Sequence, residues 1–299
     1  MRNDELRTKY LFRIPHSAFI IMFNPLEHPI CLEQPLWHEE TAWAGHIPFA
    51  MFLISALRPR IFVELGAYRG VSYCAFCQAV KATRSDTKCY AVDTWAGDAH
   101  AGEIEEAVLP KLRAHHDPLY GEFSRLVQST FDDALAHFGD GTIDLLHIDG
   151  FHTFEAVNRD FETWLPKMSE RGIVLFHDTN VREREFGVWR FWEEAKSSYS
   201  SFEFLHSHGL GILAVGNKLP EDLQALFTAD ETQIAAIRQF FHLLGDRIES
   251  VNLHRAQTDY IAVLQTYEKV VQDSRLMRAY RILKDEGAGE LVKKTVKRQ

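Results

Sequence analysis

Along the chain, short runs of apolar residues alternate with longer stretches in which apolar positions recur every three or four residues. The short runs fall at Ile61 to Leu65, Cys89 to Val92, Arg125 to Gln128, Ile143 to Ile148, Gly172 to Phe176, Phe202 to His206 and Leu210 to Val215. They are the right length for buried strands, and helical periodicity fills most of the intervals. Buried strands separated by helices predict a doubly wound α/β fold, a mostly parallel seven-stranded sheet covered on both faces. The last two runs are separated only by Ser207 to Gly209, too few residues for a crossover helix, so they are expected to pair antiparallel at one end of the sheet. A helix is expected from Trp43 to Leu57, ended by Arg58-Pro59-Arg60.

The flanks read differently. Residues 1–40 carry Pro15, Pro25, Pro29 and Pro35 between short apolar pieces and predict an N-terminal arm. Residues 41–218 hold the alternating pattern, and residues 219–299 predict a helical extension with a basic tail. Within it Ile237, Phe241, Leu244, Ile248 and Val251 follow a 4-3-4-3 spacing, interrupted at Arg255 and Thr258 before Ile261, Leu264, Tyr267 and Val271 resume. That seam suits a coiled coil that would make the chain a homodimer, or a helix folding back on the sheet domain.

Composition narrows the classes. With 299 residues, 46% hydrophobic and 25% charged, the chain is an ordinary globular one, and a net charge of −9 argues against a nucleic-acid partner. Residues 275–299 are the exception, with eight Lys or Arg against three Asp or Glu, a patch suited to peripheral contact with an anionic membrane. The run Ala18 to Phe23 falls far short of the roughly 20 apolar residues that span a bilayer. Cys31, Cys74, Cys77 and Cys89 lack both a second pair at zinc spacing and an apolar export segment, so they read as structural thiols in a reducing cytosol.

Chemistry gathers at the predicted C-terminal ends of the strands, where open α/β sheets bind ligands. The first ends in Glu64-Leu65-Gly66-Ala67-Tyr68-Arg69-Gly70. Gly66 and Gly70 let backbone approach a ligand closely, but a pyrophosphate cradle would need a third glycine, and Glu64 would repel phosphate while suiting an ammonium group. Asp93, with Thr94 and Trp95, closes the second strand where a carboxylate can accept both hydroxyls of a ribose. Together these features point to S-adenosylmethionine. Asp149 ends the fourth strand, in Leu146-His147-Ile148-Asp149-Gly150-Phe151-His152, and His177-Asp178 ends the fifth. Adjacent parallel strands would bring Asp149, His177 and Asp178 together as ligands of a divalent cation with positions left open for substrate oxygens. The other reading of the two acids is as helix caps. His152, three residues beyond Asp149, is in reach of a substrate hydroxyl as a general base, or is a helix-start histidine pointing to solvent. His147 reads as a core histidine bonded to backbone, and His206 and His208 as exposed members of a polar hairpin.

On these motifs the run from Ile61 to Val215, about half of the chain, resembles the class I S-adenosylmethionine-dependent methyltransferases, in the branch of cephalosporin hydroxylase-like proteins and macrolide-sugar O-methyltransferases. The resemblance implies a seven-stranded sheet with the last strand antiparallel. It also implies that Glu64 to Gly70 holds the amino-acid part of the cofactor, Asp93 the ribose, and Ser129-Thr130-Phe131-Asp132 the adenine side. Asp149, His177 and Asp178 fall where related enzymes carry metal ligands, but His177 stands where the family usually has an acid. An imidazole there keeps the site open to Mg or Mn and moves its preference towards softer ions. Trp95, Asp98 and His100, in the loop after Asp93, are placed to cover the cofactor, with core packing the equal reading for Trp95, and Gly45-His46-Ile47-Pro48 resembles the segment that closes over it. The function implied is metal-assisted O-methylation of a sugar or glycan hydroxyl, in the cytoplasm or at the inner membrane face; Asp149 and His152 are then the catalytic candidates. A non-catalytic cofactor-binding module for glycan assembly is the alternative from another class. A hydroxylase role ranks last, because no two-His-one-carboxylate iron signature is legible.

Overall fold

A computed structural model describes residues 24–97, 107–183 and 185–273. The expectations for Asp98, His100, most of the arm and the basic tail lie outside these residues. Seven strands form one sheet: β1 (Ile61–Leu65), β2 (Lys88–Asp93), β3 (Ser124–Gln128), β4 (Ile143–Ile148), β5 (Met168–His177), β6 (Ser200–Phe204) and β7 (Leu210–Ala214). Their order is β3-β2-β1-β4-β5-β7-β6. The pairs from β3 through β5 are parallel, and β7 runs antiparallel to both β5 and β6. The architecture expected from the alternating runs is therefore present.

The α-helices are α1 (Ile47–Leu57), α2 (Val71–Thr83), α3 (Val108–Tyr120), α4 (Phe131–Leu135), α5 (Phe154–Trp164), α6 (Val188–Ala195), α7 (Glu221–Phe227) and α8 (Glu231–Asp273), alongside short 3-10 turns among the described residues. Two apolar layers sandwich the sheet. One joins α1 and α2 to strand residues such as Phe62, Leu145 and Leu175; the other joins α5 and α6 to Val63, Leu146 and Phe176. Alternate residues of β4 and β5 thus enter opposite layers, as strand geometry requires. Helix α1 is apolar on every side and almost wholly buried, because α2 and α7 pack against it as well as the sheet.

The chain divides into two compact units, residues 1–248 and 249–299. The first includes α7 and the opening turns of α8. Ile237, Phe241 and Ile248 are buried there, with the Phe241 ring against Phe49, Phe52 and Phe204. The first half of the heptad seam is therefore spent within its own unit. Gly245 abuts Gly45 so closely that a β-carbon at Gly245 would lie 2.4 Å from the Gly45 carbonyl oxygen. No helix among the described residues is long and apolar enough to cross a membrane. All four cysteines are buried free thiols.

Candidate functional site

The turn after β1 approaches the end of β4 as closely as backbone can. Gly66 has φ of +87°, and a β-carbon there would stand 2.1 Å from the Asp149 carbonyl oxygen, so only glycine fits. Gly70, also at positive φ, opens α2. The Asp93 carboxylate braces this turn. One oxygen accepts from the Ala67 and Tyr68 amides at 2.9 and 2.8 Å, the other from the Trp95 amide at 2.7 Å. Each oxygen can accept more than one bond, so the carboxylate remains chemically suited to ribose hydroxyls. The buried Trp95 indole donates to the Tyr68 carbonyl at 2.8 Å and ties the second turn to the first.

A cavity of about 630 Å³ opens above these turns. Gly66, Gly70, Asp93, Thr94 and Phe131 line one half, and Asp149, His152, His177 and Asp178 the other. Phe131 reaches the wall because Gly150 has no side chain; a β-carbon there would come within 2.5 Å of the ring. Three expected cofactor residues are not on this wall, the buried Trp95 among them. Ser129 turns its hydroxyl to the Thr130 carbonyl, and Glu64 is wholly buried behind the turn.

Glu64 belongs to a sealed network. It accepts from the Ser72 hydroxyl and from His147 Nδ1, both at 2.9 Å, and the Trp43 indole donates to His147 Nε2 at 3.2 Å. Indole can only donate, so His147 Nε2 must be the acceptor and Nδ1 the protonated nitrogen. Burial pushes the Glu64 carboxyl pKa up, against the opposing pull of His147 and Ser72. His147 is a core histidine as expected, but side chains rather than backbone hold it.

The open cluster lies two residues further along the same strand. His152 Nε2 is 3.0 Å from Asp178 Oδ2 and 3.9 Å from Asp149 Oδ1. His177 Nδ1 lies 3.4 Å from Asp149 Oδ1 and 3.5 Å from Asp178 Oδ1, while its Nε2 donates to the Ser207 carbonyl at 3.0 Å. His208 Nδ1 is 3.2 Å from Asp178 Oδ1. Asp178 itself has φ of +61°, an uncommon conformation for a side chain other than glycine and one concentrated at functional sites. Burial works against charge on His177, yet the flanking Asp178 and Asp149 carboxylates outweigh it and hold the imidazole pKa well above its ordinary value. For Asp178, burial is outweighed by His177 and then His152, and its carboxyl is held far below the usual range.

Ligand atoms of Asp149, His152 and Asp178 all lie within 4.8 Å of one another, a spacing that fits one divalent cation. Two carboxylates and an imidazole are a chemically suitable donor set for such an ion. The grouping includes His152, expected as a base, in place of His177, expected as a ligand. His208, read from sequence as an exposed member of a polar hairpin, is exposed but also meets Asp178, which neither motif nor spacing announces. The pairing of His177 with Leu210 carries the signal that does, because antiparallel β7 must then bring residues 207–209 beside the end of β5.

Residues 63–179 match the family model described as a methyltransferase domain. The uncharacterized protein y4gI of Sinorhizobium fredii is 42% identical over 82% of this chain, which spans 27% of that relative's length. Among solved structures, the Podospora anserina methyltransferase PaMTH1 bound to SAH is 13% identical, with a TM-score of 0.44 over 56% of this chain and 76% of that one. The O-methyltransferase TomG of Streptomyces achromogenes is likewise 13% identical, with a TM-score of 0.44 over 68% of this chain and 95% of that one. The matched segment runs from β1 to the end of β5, and the sheet order above is the mostly parallel, Rossmann-like arrangement typical of class I S-adenosylmethionine-dependent methyltransferases.

Proposed function

We propose that the domain transfers the methyl group of S-adenosylmethionine to a hydroxyl oxygen of a sugar or glycan, with a divalent cation beside the acceptor. The observation that supports this reading is the division of one cavity into a glycine-turn half braced by Asp93 and a half where Asp149, His152 and Asp178 converge. In the first half, Gly66 and Gly70 give the methionine end of the cofactor close access to backbone, Asp93 accepts from the ribose, and Phe131 packs against adenine. In the second, Asp149, Asp178 and His152 would hold the cation. A bound divalent ion supplies positive charge that lowers the acceptor hydroxyl pKa. His177 donates to the Ser207 carbonyl and faces both carboxylates with its other nitrogen, which steadies their orientation. Phe186 stacks on His152 with ring centroids 4.4 Å apart and offers an apolar wall suited to the carbon face of a sugar ring.

The test is incubation of the protein with S-adenosylmethionine and a panel of glycosides and glycan lipids, with and without chelator. S-adenosylhomocysteine and the methylated product would be read by mass spectrometry. Cofactor binding with turnover of a glycan, lost in chelator and restored by a divalent salt, is the expected result. Binding without turnover of any hydroxylated compound would instead mark a cofactor-binding assembly module.

A further inference from the structure

Three imidazoles touch the Asp149 and Asp178 carboxylates, and what distinguishes them is the use of the second ring nitrogen. His177 spends both: Nδ1 faces the two carboxylates and Nε2 donates to the Ser207 carbonyl. His152 places Nε2 against Asp178, and its Nδ1 is enclosed by protein, cut off from the cavity. His208 is the opposite case. Its Nδ1 meets Asp178 Oδ1 at 3.2 Å, its side chain is 58% exposed, and it stands on the cavity wall. A carboxylate can only accept, so Nδ1 carries the hydrogen at that contact, and in the neutral ring the lone pair is on Nε2.

The backbone holds His208 in this place at some cost. Ser207, His208 and Gly209 have φ of 47°, 70° and 91°, three successive left-handed residues. The His208 carbonyl accepts from the Asn180 amide at 2.8 Å, and the Asn180 side chain donates to the Leu205 carbonyl at 3.1 Å. A β-carbon at position 209 would lie 2.6 Å from Thr179 Oγ1, so the hairpin sits tight against the loop that carries Asp178. Strained backbone persists where surrounding contacts over-determine it, and here those contacts aim one imidazole at the site.

We infer that His208, not His152, accepts the proton of the methyl acceptor. This rests on the methyl-transfer reading above. The acceptor oxygen attacks the sulfonium methyl, the O–CH3 bond forms, and the S–CH3 bond breaks with its electron pair staying on sulfur. The hydroxyl proton passes to His208 Nε2, and Nδ1–H remains against Asp178. No reactant beyond cofactor and acceptor is needed. The Asp178–His208 pair orients the base in the manner of a carboxylate-steered imidazole, and His152 is left to the cation.

The test compares wild type with His208→Gly, a substitution that suits the positive φ. The acceptors are methyl α-D-glucopyranoside and methyl α-L-rhamnopyranoside. The variant is expected to bind S-adenosylhomocysteine within about twofold of wild type and to lose about 100-fold in kcat. Imidazole added to the buffer should recover part of that loss. An unchanged kcat with intact cofactor binding would overturn the role of His208 alone, whereas a wild type that binds no cofactor would overturn the methyltransferase reading itself. If neither glycoside is turned over, nitrogen-15 spectra of the S-adenosylhomocysteine complex decide the point. A proton on Nδ1 and none on Nε2 of His208 is expected, and the reverse tautomer would overturn the inference.

Discussion

Two histidine–carboxylate clusters lie side by side in this domain and differ in almost everything but composition. Glu64 and His147 are both wholly buried, each with its polar atoms answered by Ser72, Trp43 or one another. Asp149, His152 and Asp178 line the cavity, with ligand atoms within 4.8 Å of one another. His147 and Asp149 are only two residues apart on one strand. Position relative to the C-terminal edge of the sheet, rather than residue type, separates a buried pair from a cluster that faces the cavity.

The largest expected effect comes from breaking the sealed pair. His147→Ala should cost about 3 to 5 kcal/mol in urea denaturation, because it strands a buried carboxylate. Cofactor binding by the fraction that remains folded should persist. Asp178→Asn should do the reverse: methyl transfer should fall about 10² to 10³-fold and cation affinity about 10 to 100-fold, measured by turnover and calorimetry. The loss of stability should be well below that of His147→Ala; equal losses would erase the distinction between the clusters.

Asp93→Ala tests the glycine-turn half of the cavity. Losing a charged acceptor should weaken S-adenosylhomocysteine binding by about 1.5 to 3 kcal/mol in calorimetry. Its three backbone donors would also lose their partner, so Asp93→Asn, which keeps one acceptor oxygen, should fall between Ala and wild type.

The smallest effect concerns Asp160, behind Gly150 and outside both clusters. Burial first, then the Asp132 charge, pushes its carboxyl pKa up to about 7. The folded state thus holds this proton more tightly than the unfolded chain, and stability falls as pH rises from about 4 through 7. Asp160→Asn should remove the penalty, gaining on the order of 1 kcal/mol at pH 8 and nothing near pH 4, by thermal melts at both pH values.

Legibility in the sequence followed the same division. Strand count, the antiparallel end and the gathering of Asp93, Asp149, His177 and Asp178 at one edge could be read from apolar runs, because a buried parallel strand announces both its length and its tip. The depth of Glu64 could not be read that way. An acid at a strand end looks alike whether it faces a ligand or a histidine on the neighbouring strand, and the partner here is 83 residues away. The contact of His208 with Asp178 was not legible for a related reason, since it depends on a hairpin packing against a loop 30 residues earlier. The heptad seam of α8 was visible, but spacing alone does not say whether its partner is another chain or Phe49 and Phe204 of its own unit.

The contact between Gly45 and Gly245 carries an evolutionary consequence. Within a helix, alanine is favoured over glycine by about 0.5 to 1 kcal/mol, so drift at position 245 should run towards alanine. The Gly45 carbonyl blocks that path, and the residue that follows it, His46, shares the Ser207 carbonyl with His177. A methyl group added on the outer helix would be felt two hydrogen bonds later at the edge of the cavity. Position 245 is therefore a place where selection for a new acceptor could act from outside the cavity.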